Sequence, residues 1–319
     1  MRLPRPSAIS TNPLTEQHDS RRATVEFILV SLIWGSTWLV IKGQLGVVPA
    51  AWSVAYRFVI AAALLFAIAL GTGRWQRPTR AVHAFALVAG VAQFALNFNL
   101  VYAAERHVTS GLIALVFALL VVPNTLLARI FLKSPISLRF ISGSAIGIAG
   151  LGLVFANDLR DPAIRGTIGP GIVLAVVAVL CASTANVMQA GGRARAQAPL
   201  PTLVLMMFYG ALADIAYAAV TAGLPVFDGR AEYWAGLVYL AVVASAVAFT
   251  AYYALIRRIG PGPAAYTGVV IPVVAMTLST LFEAYRWTLT GGCGAVLAIT
   301  GLAVALGNRQ VTQARRPAR

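Results

Sequence analysis

Gln93 and Asn97 stand four residues apart in a stretch, 81–104, that carries no formal charge. Both amides donate and accept hydrogen bonds, and neither ionises. In a helix this spacing puts them on one face, with Ala86, Gly90, Leu100 and Ala104. An unpartnered amide is costly in hydrocarbon, so the stripe either ties helices together or lines a wet path for a polar solute. Tyr239, Ala246, Phe249 and Tyr253 form a second stripe, and Tyr266, Thr277 and Thr280 a third. A tyrosine offers a broad apolar ring and one hydroxyl, which suits an amino-acid solute; Tyr253 and Tyr266 also fit an interfacial aromatic belt. Trp34 and Trp38 lie one turn apart, opposite Ser36, and either flank a solute or pack on a neighbour. Ser183 and Asn186 repeat the small polar pattern later in the chain.

Charge is scarce in these stretches. Asp214 is read as the one deep acid, either a proton carrier for coupling or one half of a structural pair. Arg57 faces protein or water, or snorkels to the outer interface. His18, His83 and His107 have no partner at metal or catalytic spacing, and Cys181 and Cys293 fall in apolar runs that suit packing. There is no phosphate-binding loop, no nucleophile with a base and no paired carboxylates. The expectation is a protein with no cofactor, no metal and no catalytic residue, and therefore not an enzyme.

The elements that hold these residues follow from composition. Of the 319 residues, 59% are hydrophobic and 11% charged, with mean hydropathy +0.79. Uncharged runs cover 81–104, 107–128, 140–157, 166–192, 233–256, 259–282 and 287–308. Crossing a bilayer takes about 20 apolar residues in a helix. This is the pattern of an all-α integral membrane protein, with lipid as one partner and a small-molecule substrate as another. Spans are expected at 24–43, 50–70, 81–104, 108–130, 137–156, 168–191, 200–222, 233–256, 262–283 and 287–307. The net charge of +15 does not signal nucleic acid, because the Lys and Arg residues punctuate apolar runs instead of sharing one face. Residues 1–22 and 309–319 read as disordered cytoplasmic tails, and nothing in the pattern calls for more than a monomer.

With the amino terminus in the cytoplasm, eighteen of the twenty-five Lys and Arg residues fall on that side. Basic residues are retained inside during insertion, so both termini are expected in the cytoplasm. The halves also echo each other. Trp34–Trp38 aligns with Cys181–Ala185 at an offset of 147, Pro123 with Pro272 at 149, and Phe131, Gly143 and Gly150 with Phe282, Gly294 and Gly301 at 151. An odd number of spans per half inverts the second copy, giving ten transmembrane helices as a 5+5 inverted repeat, with repeats at 23–157 and 158–308. Two inverted halves can exchange conformations and open a central site to each side in turn. Pro123 and Pro272, each lacking one backbone donor, are candidate kinks for that gating.

These features resemble the drug/metabolite transporter superfamily, EamA type. The resemblance spans 24–307 and rests on Trp34-Gly-Ser-Thr-Trp38, Tyr56-Arg57-Phe58, Thr109-Ser110-Gly111 and the prolines of spans four and nine. Within it the chain is most similar to the aromatic amino-acid exporter (YddG-like) branch. The resemblance implies a bacterial inner-membrane exporter of amino acids or related metabolites, by facilitated diffusion or, alternatively, as a proton-coupled multidrug antiporter. Members carry a Glu at the end of span four. Here Leu132-Lys133-Ser134 stands there, while the counterpart Glu283 is present.

Overall fold

The computed structural model describes residues 13–160, 162–191, 197–259, 264 and 267–306, and no strand occurs among them. Ten helices follow in order: α1 (Pro13–Gly43), α2 (Ala50–Gly71), α3 (Arg80–Ala104), α4 (Ser110–Leu132) and α5 (Leu138–Arg160) make the first half. The second is α6 (Pro162–Ala190), α7 (Pro199–Ala222), α8 (Ala231–Val238 continuing through Ala248–Ile259), α9 (Thr267–Phe282) and α10 (Leu289–Leu306). Among the described residues nine are long and apolar enough to cross a membrane, and the described part of α9 covers 16 residues. The chain is a multi-pass membrane protein.

Several boundaries differ from expectation. Helix α1 runs ten residues into the expected tail, and of the break expected at 158–162 all but residue 161, which lies outside the described residues, is helical. The tail residues 1–12 and 307–319, and the break at 260–263, lie outside the described residues. Pro199 and Pro201 do not interrupt α7; they form its first turn, where a missing N–H costs no helical bond.

The inverted repeat is visible in which helices touch. Helix α1 packs on α9, α3 on α6, α3 on α7, α1 on α8, α2 on α8 and α4 on α6, while α2–α7, α4–α9 and α5–α10 also pack. Exchanging the halves, α1 with α6 through α5 with α10, turns this set into itself. Local details obey the same exchange. Helix α3 is π-wound over Val91–Leu96 and α8 over Tyr239–Val247. Lys133 and Ala284 close α4 and α9 with φ of 54°, a left-handed conformation at an offset of 151. The α5–α10 crossing is reciprocal: a Cβ on Gly150 would strike the backbone of Gly294 and Ala298, and one on Gly143 that of Gly301 and Ala305. Bare glycine surfaces let the two backbones meet, which replaces hydrophobic driving force in a bilayer.

The expected proline pair is not equivalent. Helix α4 breaks at Leu119–Leu120, where the chain turns before Pro123 enters the first turn of a new segment. Pro272 sits inside α9, which stays continuous from Thr267 to Phe282.

Candidate functional site

The polar residues of the interior fall into two groups. The first lies at the middle of the bundle. The Trp34 indole N–H donates to the Ala244 carbonyl at 3.1 Å, and its ring meets Phe249 and Tyr252 with centroids 5.2 and 4.9 Å apart. Ser36 and the Tyr239 hydroxyl share a hydrogen bond of 2.6 Å, which ties α1 to α8 a turn away. Trp34 and Tyr239 are therefore engaged with protein. Trp38 leans on Phe117 of α4 at 4.9 Å, and its buried indole N–H has no partner among the described residues.

Gln93 and Asn97 are buried within the π-wound part of α3 and just beyond it. The Asn97 amide donates to the Gln93 backbone carbonyl at 3.3 Å, leaving Gln93 Oε1 and Asn97 Oδ1 unpartnered among the described residues. Ser183, fully buried on α6, which packs on α3, likewise leaves its hydroxyl without a partner, and Asn186 one turn on is half-buried. These orphaned groups on α1, α3 and α6 can offer donors and acceptors to a neutral or zwitterionic solute.

The stripe expected on α3 does not stay on one face. Gly90 abuts the Met206 backbone of α7, whereas Ala104 lies against Gly171 of α6. The π-winding between them inserts an extra residue per turn and rotates the register, which a uniform 3.6-residue period does not anticipate. The stripe expected on α9 is also corrected. Thr277 is exposed and caps its own helix at the Val273 carbonyl, so it faces outward. Tyr266 and the Tyr253 side chain lie outside the described residues. A cavity of about 440 Å³ opens beside the start of α7, between residues 73–76, 198–203 and Thr250; none of the expected site residues lines it.

The second group joins two expected candidates, Arg57 and Asp214, to residues the sequence did not mark. Arg57 does not snorkel: it is 1% exposed, its Nε donates to Ser245 Oγ at 3.0 Å, and its guanidinium lies 4.4 Å above the Phe98 ring. Ser245 in turn donates to the Leu240 carbonyl at 2.8 Å, within the π-wound stretch of α8. The Tyr102 hydroxyl lies beside the guanidinium, yet neither it nor Arg57 Nη1 reaches a hydrogen bond of ordinary geometry. Asp214 is fully buried on α7 and accepts from Asn99 Nδ2 at 2.7 Å, which ties α3 to α7.

Asp214 is not the sole deep acid. Glu105, just past the last turn of α3, is 0% exposed, and neither carboxyl oxygen has a partner among the described residues. Burial pushes its carboxyl well above the usual carboxylate range; Lys42 opposes that shift and Glu283 adds to it. The Lys42 ammonium donates to the Glu105 backbone carbonyl and, at 3.4 Å, to that of Val108. Glu283 accepts from the Ser110 N–H and hydroxyl at the amino terminus of α4, where the helix dipole favours a carboxylate. In sequence, Glu105 looks like an ordinary interfacial charge because Arg106 and His107 follow it. The available signal was spacing: Phe98, Tyr102 and Glu105 are four and three residues apart, hence one face of α3.

Comparison with known proteins places this architecture. The EamA-like transporter family matches residues 23–156 and again 169–307, the two halves found in the structure. The chain belongs to the EamA-like transporter family. It is 29% identical over 255 residues to the uncharacterized inner membrane transporter YedA of Escherichia coli K12, covering 78% of this chain and 79% of that one. Protein PagO of Salmonella typhimurium is 32% identical over 133 residues, a match that spans only 42% of PagO. A probable amino-acid metabolite efflux pump of Escherichia coli K12 is 24% identical over 294 residues, covering 89% and 94%. A crystal structure with 18% identity shares the fold, with a TM-score of 0.64 over 92% of this chain and 99% of that one. Membership makes this EamA-like chain a membrane transporter rather than an enzyme.

Proposed function

We propose that the chain exports small amphipathic metabolites, foremost amino acids with aromatic or other bulky side chains, from the cytoplasm to the periplasm of a bacterium. It does so across the inner membrane, with both termini cytoplasmic, by alternating access and downhill. The observation that carries this reading is the set of orphaned neutral polar groups, Trp38 Nε1, Gln93 Oε1, Asn97 Oδ1 and Ser183 Oγ, held on helices α1, α3 and α6. A path lined by neutral donors and acceptors beside aromatic rings suits a zwitterion with a bulky side chain better than an ion. The amino-acid metabolite efflux pump that resembles the chain over most of its length supports the same substrate class.

Two buried acids, Asp214 and Glu105, favour one alternative, proton-coupled antiport of metabolites or drugs. Reconstitution in liposomes separates these readings. The proposal expects labelled aromatic amino acids to equilibrate faster than in protein-free vesicles, with no accumulation under an imposed pH gradient. Equal rates in both kinds of vesicle would overturn export of this class. Accumulation above equilibrium that Asp214→Asn abolishes would establish the antiporter instead.

A further inference from the structure

The ends of four helices from both repeats converge beyond the far end of α3, on the face opposite the start of α1. Lys42 closes α1, Glu105 ends α3, Ser110 opens α4 and Glu283 ends α9. Lys42 bridges to the α3–α4 turn through the carbonyls of Glu105 and Val108, and Glu283 holds the start of α4. Together they shut this end of the bundle. Inside the closure sits the Glu105 carboxyl, sealed and without a partner among the described residues, while the next residue, Arg106, is exposed. Water is thus one residue away.

We propose that Glu105 is a proton-binding site served from this far face, and that pH on that face sets how often the far end opens. The proposal rests on the transport reading above, but it moves no proton across the membrane. Glu105 releases its proton to far-face water and regains it from there.

The groups facing Glu105 are Lys42 from α1, Arg57 from α2, Tyr102 on its own helix and Glu283 from α9. On α6 the titratable residues are Arg165, whose side chain lies outside the described residues, and Cys181; His107 stands in the α3–α4 turn itself, and the near part of α4 contributes none. In the shut form the carboxyl is favoured neutral, because burial opposes its charge. When the end opens, water reaches it and it ionises at an ordinary carboxylate pH. The shut form therefore binds the proton more tightly, so far-face acid holds the end shut and rising pH releases it. An ionised Glu105 also competes with the two carbonyls for the Lys42 ammonium and loosens α1 from the α3–α4 turn. At the matching places the other half-ends carry Gln189 for Lys42, Tyr253 for Glu105 and Leu132 for Glu283, so these three charged positions are not repeated in the sequence.

The test uses the full chain with Cys181→Ala and Cys293→Ala, in proteoliposomes of one orientation. Val108→Cys reports opening through its labelling by a membrane-impermeant thiol reagent, with the same cysteine in Glu105→Gln as reference for intrinsic thiol reactivity. Relative to that reference, labelling is expected to rise as far-face pH goes from about 5 to 8, the interval between an ordinary and a buried carboxyl. Each unit of difference in proton affinity between shut and open forms is worth about tenfold in the opening ratio. Near-face pH should have no effect, and Glu105→Asp should keep a pH profile. Labelling in the wild-type background that is flat, or follows near-face pH, overturns the proposal even if Glu105→Gln does not fold. Transport of labelled phenylalanine, measured in parallel, separates the two readings. Labelling that responds without transport leaves the gate and removes the transport reading, and pH-indifferent transport does the reverse.

Discussion

Arg57 shows how much the sequence leaves open at the scale of one residue. Its identity and place in α2 were legible, but whether a long cation reaches out to an interface or inward depends on what waits inside. Here that is Ser245, buried on the π-wound stretch of a helix almost two hundred residues later, and the Phe98 ring. Arg57→Leu should destabilise the protein by about 3 kcal/mol, because it leaves Asp214 buried without a compensating cation and takes away one of the two cations facing Glu105. Combining it with Asp214→Asn should recover part of that loss, as melting in detergent would show; simple additivity would mean the two groups do not interact. A gentler test lies at Ala284, whose φ of 54° strains a residue with a Cβ. Ala284→Gly should raise stability by up to about 1 kcal/mol, and a lower melting temperature would contradict the strain. Outside the bilayer, Asp228 accepts four hydrogen bonds from the backbone N–H, Nε and Nη2 of Arg230, which hold its carboxyl below the usual range. Its contribution is present above the ordinary carboxylate pH and is lost as pH falls through the lowered value. Asp228→Asn should remove that acid-side change from the pH dependence of melting.

At the scale of elements, apolar run length and punctuation were enough to find all ten helices, because a bilayer leaves a chain few alternatives. The glycine pattern of α5 and α10 was equally legible as a contact, and its partner follows from the repeat. Gly150→Val would drive a side chain into the backbone of Gly294 and Ala298. It should cost about 1–3 kcal/mol or more and weaken the α5–α10 crossing, read as a lower melting temperature in detergent; an unchanged one would contradict the close approach. The two π-wound stretches were not legible. Nothing in Val91–Leu96 or Tyr239–Val247 marks one extra residue per turn, and that single difference redirected the stripe through Gln93 and Asn97 and created the Arg57 site. Expectations built on one helical period failed where the helix changed its winding.

At the scale of the whole molecule, two inverted five-helix halves follow from the offset of 147 to 151 between the motifs and from a set of contacts closed under exchange of the halves. The halves are alike in frame and unlike in charge, since Lys42, Glu105 and Glu283 have the uncharged counterparts Gln189, Tyr253 and Leu132 in sequence. Reporters on the two termini should lie on one side of the membrane. The central claim is that residues between the halves meet water from each side in turn. A single cysteine at Asn97, in a chain with Cys181→Ala and Cys293→Ala, tests it by labelling with an impermeant thiol reagent applied to one side at a time. The account predicts labelling from both sides, with substrate shifting the balance between them so that one rate rises as the other falls. Labelling from one side only, under every condition of substrate and pH, would contradict it.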